Sequence, residues 1–271
     1  MGRFDNIAIL TDLDGTFLAD RAQMVDRNVE AIEYFKSEGG LFSLATGRMH
    51  FNIEETVKGV YDLVTAPAIM CNGTYFYDFG ERRIFKESFM DKALVASAVE
   101  FVLGQGFYGF VRGCDPQGYI VDSVDKRGRD LLLSYGITSY VEIPYCEWNT
   151  ENWYKLCFED EASELVRTEG LLREKFPDVF EYNRSRPTLL ELQMKGVNKS
   201  ILIDTFKDYY RQKGKELTLY VCGDNENDIE MLKKADVSVC PANAIDAVKA
   251  ISERCLCSNN EGLLADLIYS F

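Results

Sequence analysis

Two carboxylates, two residues apart, close an apolar run in Ile9-Leu10-Thr11-Asp12-Leu13-Asp14-Gly15-Thr16. Residues i and i+2 of a strand share a face, and in open α/β sheets ligands gather at the carboxyl ends of the strands. Asp12 and Asp14 are therefore expected to converge on one ligand, with Gly15 permitting a sharp turn and Thr16 offering a hydroxyl donor. Three further segments end expected strands or open expected helices. Thr46-Gly47-Arg48 brings a hydroxyl and a guanidinium suited to the oxygens of an anion. Lys199 follows Gly196-Val197-Asn198 near the start of a helix, and Gly223-Asp224-Asn225-Glu226-Asn227-Asp228 gathers carboxylates and amides. Taken singly, each has an ordinary reading as a solvated loop, a turn, a surface lysine or a helix cap. Taken together, they supply a nucleophile, a proton donor, two cations and a carboxylate cluster for Mg²⁺.

The composition narrows the chemistry. The chain has 271 residues, 46% of them hydrophobic and 27% charged, as in an ordinary soluble protein of one large or two modest domains. A net charge of −14 disfavours nucleic-acid and anionic membrane partners. One histidine, His50, argues against Ser-His-Asp triads and histidine-rich metal sites. The eight cysteines lie at neither disulfide-framework nor zinc spacings, and are expected to be reduced. No apolar stretch is long enough to span a bilayer and the first residues lack a signal-peptide pattern, so a cytoplasmic protein is expected.

The elements that must position these groups follow a βαβαβ rhythm over the first third. Strands are expected at Ile7 to Leu13, Leu41 to Ala45 and Ala68 to Cys71, with helices through Val29, Ile32 and Phe35 and through Ile53 and Val57. A hairpin is expected from Tyr75 to Phe85, and then a mixed α+β domain over residues 82–188, with hinges near Gly80 and Arg186-Pro187. After Leu189 to Leu192 the α/β rhythm resumes: a helix from Lys199 to Lys213, strands at Leu217 to Cys222 and Val237 to Val239, helices at Ile229 to Ala235 and Ala244 to Ile251, and a last helix near Leu263 to Ile268. The predicted fold class is α/β, a Rossmann-like parallel-sheet core formed by residues 1–81 and 189–271 with an inserted α+β domain.

The sequence resembles the haloacid dehalogenase-like (HAD) superfamily of phosphohydrolases, in its Cof-type branch with a type IIB cap. The resemblance rests on Asp12-Leu13-Asp14-Gly15-Thr16, Ala45-Thr46-Gly47-Arg48, Cys71-Asn72-Gly73-Thr74, Lys195-Gly196-Val197-Asn198-Lys199 and Gly223-Asp224-x-x-Asn227-Asp228. Pro241-Ala242-Asn243-Ala244 and Asn260-Glu261-Gly262 extend it, and Asn198-Lys199-Ser200 departs mildly from a more usual Ser-Lys-Gly. The resemblance implies that Asp12 is the nucleophile that becomes an aspartyl-phosphate and Asp14 the general acid and base. It implies that Thr46, Gly47 and Lys199 bind the phosphoryl group and that Asn227 reaches the phosphate region, with Arg48 and Asn72 as further phosphate or substrate contacts. Mg²⁺ would be held by Asp12, the backbone carbonyl of Asp14 and Asp224, with Asp228 supporting the metal site and orienting Lys199. The substrate would be a small phosphorylated metabolite, with specificity set in the cap; Arg112, Tyr119, Arg184 and Arg186 are candidates there. The protein would be a monomer or homodimer. A phosphomutase-like phosphotransferase and a non-catalytic phosphometabolite sensor remain as alternatives.

Overall fold

The computed structural model describes residues 2–271. Its backbone divides into two units, one formed by the chain up to Glu87 together with Asn198–Phe271, the other by Ser88–Val197.

The first unit is built on an all-parallel sheet in the order Arg254–Cys255, Val237–Cys240, Thr218–Cys222, Ile7–Thr11, Leu41–Leu44. Ile7–Thr11 is central and its Ala8, Ile9 and Leu10 are wholly buried, as a parallel strand covered on both faces requires. From it the chain passes outward to Leu41–Leu44 on one side, whereas Thr218–Cys222 begins the outward run on the other. The order thus reverses between Ile7–Thr11 and Thr218–Cys222, and the carboxyl ends of those strands define the crevice where α/β sheets bind ligands. Helix Asp26–Ser37 buries Ile32 and Phe35 of the stripe read from the sequence, together with Ala31, whereas Val29 is only partly buried. A parallel bridge from Ala45 to Ile69 extends the sheet to Ala68–Met70, which pairs antiparallel with Tyr75–Asp78 and so onward to Arg83–Glu87.

The second unit holds a six-stranded sheet in the order Tyr140–Ile143, Gly118–Asp122, Phe110–Asp115, Lys155–Glu159, Leu189–Met194, Phe180–Arg186. Its pairings are antiparallel except that of the first two strands. Alternation sorts its residues: Val111, Leu156, Phe158, Leu190 and Leu192 pack with Val95, Val99 and Val102 of helix Lys92–Gly104 and with Leu165 and Leu172 of helix Ala162–Lys175. Arg112, Lys155, Cys157, Glu159 and Glu191 alternate with them and take the other face.

The units change at residues 88 and 198, not at 82 and 189. Arg83–Glu87 stays in the first unit because it completes the hairpin on Tyr75–Asp78, and Leu189–Met194 belongs to the second because it pairs with Lys155–Glu159. Gly80 and Pro187 consequently lie in the turns of two hairpins, and the expected hinges are not at those positions. The helix expected from Lys199 is a 3₁₀ turn, Lys199–Leu202, followed by helix Ile203–Arg211.

Candidate active site

Asp12, Thr46, Asn72 and Asp224 lie in the first unit just past the carboxyl ends of its strands, and Lys199 opens a 3₁₀ turn of the same unit immediately after its boundary at residue 198. Asp12 follows Ile7–Thr11 directly, and its amide donates to the carbonyl of Cys222 at 2.8 Å, so the strand pairing itself fixes the nucleophile candidate beside the Gly223-Asp224 loop. Asp12 is buried, 6% exposed.

Lys199 is the centre of the charge arrangement. Its Nζ donates to Asp12 Oδ1 at 2.5 Å and to Asp228 Oδ1 at 2.6 Å, and the residue is 1% exposed. Asn198 makes this placement possible: its side chain accepts from the Ser200 amide at 3.0 Å and caps the 3₁₀ turn that Lys199 begins. Asp228, wholly buried, accepts through Oδ2 from the amides of Asp224 and Asn225, at 2.9 and 3.1 Å. Both its oxygens are thus engaged by the protein, and it braces the loop that carries Asp224. On the remaining side Thr16 Oγ1 donates to Asp224 Oδ1 at 2.7 Å, the hydroxyl role expected of it. Gly15 is at φ +84°, and a Cβ there would lie 2.6 Å from Asp224 Oδ2. Only glycine allows the two loops this approach.

Oxygens of Asp12, Asp224 and Asp228 lie within 4.8 Å of one another. Three carboxylates against one ammonium leave a surplus of about two negative charges at ionisation. Burial pushes the Asp12 carboxyl well above the usual carboxylate range, against the pull of Lys199 and with the push of Asp228, Asp224 and Asp14. Burial, then the charge of Asp228, raises Asp224 to about 6. Burial works against the Lys199 ammonium, but Asp12 and Asp228 more than offset it and hold its pKa above that of an ordinary lysine. A hard divalent cation relieves such a surplus, and an all-oxygen donor set suits Mg²⁺. The residues fit the metal that the sequence implies.

The other motif residues form the second wall. Thr46 is buried, and its hydroxyl accepts from the Arg48 amide at 3.1 Å. Gly47 lets Asn72 approach, since a Cβ there would lie 2.9 Å from Asn72 Oδ1. Asn72 is buried in left-handed backbone, φ 51°, and Asn227 Nδ2 lies 3.4 Å from its Oδ1. Arg48, expected as a phosphate or substrate contact, is engaged by groups of the protein itself. Its Nε and one terminal nitrogen grip the Asp14 carboxylate at 2.7 and 2.6 Å, and its other terminal nitrogen donates to Thr56 Oγ1 at 2.8 Å.

Asn243 carries a part that sequence reasoning left without a role. Its Nδ2 donates to the Gly15 carbonyl at 2.8 Å while its Oδ1 accepts from the Asn259 amide at 2.9 Å, tying the loop after Val237–Cys240 to the turn after Asp14. The signal was present in Pro241-Ala242-Asn243-Ala244, but a main-chain partner more than two hundred residues away leaves no trace in a single sequence.

In the second unit the four cap candidates separate. Arg112 and Arg186 both pair with Glu159, and the Arg112 guanidinium sits 5.3 Å from the centroid of the Tyr119 ring. Lys155 pairs with Glu191 on the same sheet face at 2.5 Å. Arg184 does not join them: it binds Glu169 of helix Ala162–Lys175 at 2.9 Å. The bulge between Asn183 and Arg186 changes the alternation, which the sequence spacing could not reveal.

Known proteins resemble this chain over nearly its whole length. A pyridoxal phosphate phosphatase of Escherichia coli (strain K12) is 25% identical over 97% of this chain and 97% of its own length. A 5-amino-6-(5-phospho-D-ribitylamino)uracil phosphatase of Bacillus subtilis (strain 168) is 26% identical over 96% of each. The fold is shared with BT4131, a solved HAD subclass IIB sugar phosphatase, at a TM-score of 0.80 over 98% of both chains and 20% identity. A family model of the haloacid dehalogenase-like hydrolases matches residues 9–268, from within the strand that Asp12 follows to the last helix. The chain belongs to the haloacid dehalogenase-like hydrolases.

Proposed function

We propose that this chain is a Mg²⁺-dependent phosphatase of a small phosphorylated metabolite, working through an aspartyl-phosphate on Asp12. The observation that carries the reading is the buried Lys199 bridge between Asp12 and Asp228, with Asp224 beside it. Asp12, Asp224 and the backbone carbonyl of Asp14 would hold the metal, with Asp228 behind them. When bound, Mg²⁺ supplies Lewis-acid polarisation of the phosphoryl oxygens and neutralises charge at the site.

The residues of the chain do the rest. Lys199 favours the ionised form of Asp12 and, with the Thr46 hydroxyl, binds phosphoryl oxygens. The Asp12 carboxylate attacks phosphorus, the bond from phosphorus to the leaving oxygen breaks, and Asp14 gives that oxygen its proton. Asp14 then takes a proton from water as the water attacks the phosphorus of the acyl phosphate, which returns Asp12 and frees phosphate. Arg48 orients Asp14 for both transfers. Asn227 and Asn72 line the phosphate region. We assign the second unit the role of cap, selecting the leaving group, with Arg112, Tyr119 and Arg186 on one sheet face as its contacts. The acidic balance of the chain disfavours nucleic-acid partners. Among the described residues no helix is long and apolar enough to cross a membrane, and the reading places the enzyme in the cytoplasm as a monomer or homodimer.

The test is phosphate release from pyridoxal 5′-phosphate, 5-amino-6-(5-phospho-D-ribitylamino)uracil and a set of sugar phosphates, with Mg²⁺ and with EDTA. Turnover that needs the metal and disappears in Asp12→Asn supports the proposal. Turnover that persists in Asp12→Asn refutes the aspartyl-phosphate route, and inertness toward the whole panel refutes the phosphatase reading for these substrate classes.

A further inference from the structure

We propose that Cys240 and Cys255 are a dithiol pair that a peroxide converts to a disulfide across the edge of the parallel sheet. The two are register partners on neighbouring strands, Val237–Cys240 and Arg254–Cys255. Neighbouring strands run about 4.8 Å apart, inside the Cα separation of about 4.4–6.8 Å that a disulfide bridges. Paired residues of adjacent strands share a face, so the register sets the two thiols side by side on the same face of the sheet. Their exposures divide the labour: Cys255 is exposed, whereas Cys240 is buried. Cys255 Sγ meets the Pro241 carbonyl at 4.0 Å, at the limit of a sulfur contact, and the Cys240 thiol has the Ser252 side chain beside it.

The chemistry balances with one peroxide. The Cys255 thiolate attacks a peroxide oxygen, an S–O bond forms, the O–O bond breaks and hydroxide leaves. The Cys240 thiol then displaces the sulfenic oxygen, an S–S bond forms and water leaves, so two thiols give up two electrons and one peroxide becomes two waters.

The cross-link would fall at the root of the loops that brace the candidate active site. Leu256 donates to the Cys240 carbonyl at 3.0 Å, Ala242 to the Cys257 carbonyl at 3.3 Å, and Asn259 to Asn243, which in turn holds the Gly15 carbonyl. The pair is nonetheless defined by its own geometry and does not depend on the phosphatase reading.

The experiment oxidises the native full-length protein with stoichiometric hydrogen peroxide, blocks remaining thiols with iodoacetamide in denaturant, and maps tryptic peptides without reductant. Cleavage after Lys249 and Arg254 puts Cys240 and Cys255 on separate peptides. The expected result is a cross-linked pair lighter by two hydrogens, released by dithiothreitol and absent from Cys255→Ser. Exposed Cys146 serves as an internal reference, alkylated where Cys255 is protected. Recovery of Cys255 as a carbamidomethylated thiol, as a sulfinic or sulfonic acid, or linked to any cysteine other than Cys240 overturns the proposal.

Discussion

His50, the one histidine in the chain, should make stability pH-dependent in a window that a single residue controls. It is half-buried at the start of helix His50–Thr56, with its ring stacked on Tyr77 at 4.1 Å between centroids and its Nδ1 3.0 Å from the Tyr75 hydroxyl. Burial lowers its pKa from 6.5 to about 4, and a helix N-terminus also disfavours an imidazolium. The folded state therefore resists a proton that the unfolded chain accepts near pH 6.5. Stability attributable to this residue is full above pH 6.5 and is lost as pH falls toward 4. Linkage with those two values gives a loss of about 1.4 kcal/mol at pH 5.5 and about 3 kcal/mol at pH 4. Urea titrations of the wild type and His50→Gln at pH 7.5, 5.5 and 4 would isolate this contribution, because other acid-titrating groups cancel in the difference. NMR titration of the single imidazole would give the folded pKa directly. An imidazole pKa near 6.5, or parallel pH curves for the two proteins, would refute the burial argument.

Lys199→Met should destabilise by about 3–5 kcal/mol, the range for removing one partner of a buried ion pair, because Asp12 and Asp228 lose their shared cation; chemical denaturation measures it, and a loss below 1 kcal/mol would contradict the buried bridge. Gly15→Ala combines left-handed backbone with a contact to Asp224, and should cost about 1–2 kcal/mol as well as weaken Mg²⁺ binding in calorimetry. Arg48→Ala removes a pair whose Asp14 is half-exposed, so stability should change by less than about 1 kcal/mol. Its kcat should fall about a hundredfold if positioning Asp14 is the function of Arg48, and an unchanged kcat would deny it that role.

The core was legible because its strands are mostly apolar and the motif residues stand at their ends: Asp12, Thr46, Asn72 and Asp224 all occupy such ends in the structure. The division between units was read less well. Leu189 to Leu192 looks like another core strand, since a sheet covered by helices on one face demands the same leucines as a parallel one, and only pairing reveals that Leu190 lies opposite Phe158. The part of Arg48 escaped for another reason. A guanidinium suits a phosphate and a carboxylate equally, and the sequence does not say that Asp14, thirty-four residues earlier, is within its reach. Helix Arg127–Ser134 and strand Tyr140–Ile143 were missed outright, the latter because its exposed Val141 and Glu142 weaken any apolar signal.

The central position of Ile7–Thr11 has a consequence for how the protein is made. Asp12 is synthesised well before its partners: the carbonyl that receives its amide belongs to Cys222, Lys199 arrives 187 residues later, and the Thr16 contact spans 208 residues. Ser88–Val197, with all its sheet partners inside its own span, can finish pairing while the host sheet still lacks its strands from Thr218 onward. Closing the host sheet then requires loops of great length, the slowest kind of contact to form. The buried bridge is thereby coupled to completion: until residues 198–271 have folded into place, Asp12 has neither the Lys199 ammonium it pairs with nor the Asp228 carboxylate on that ammonium's other side.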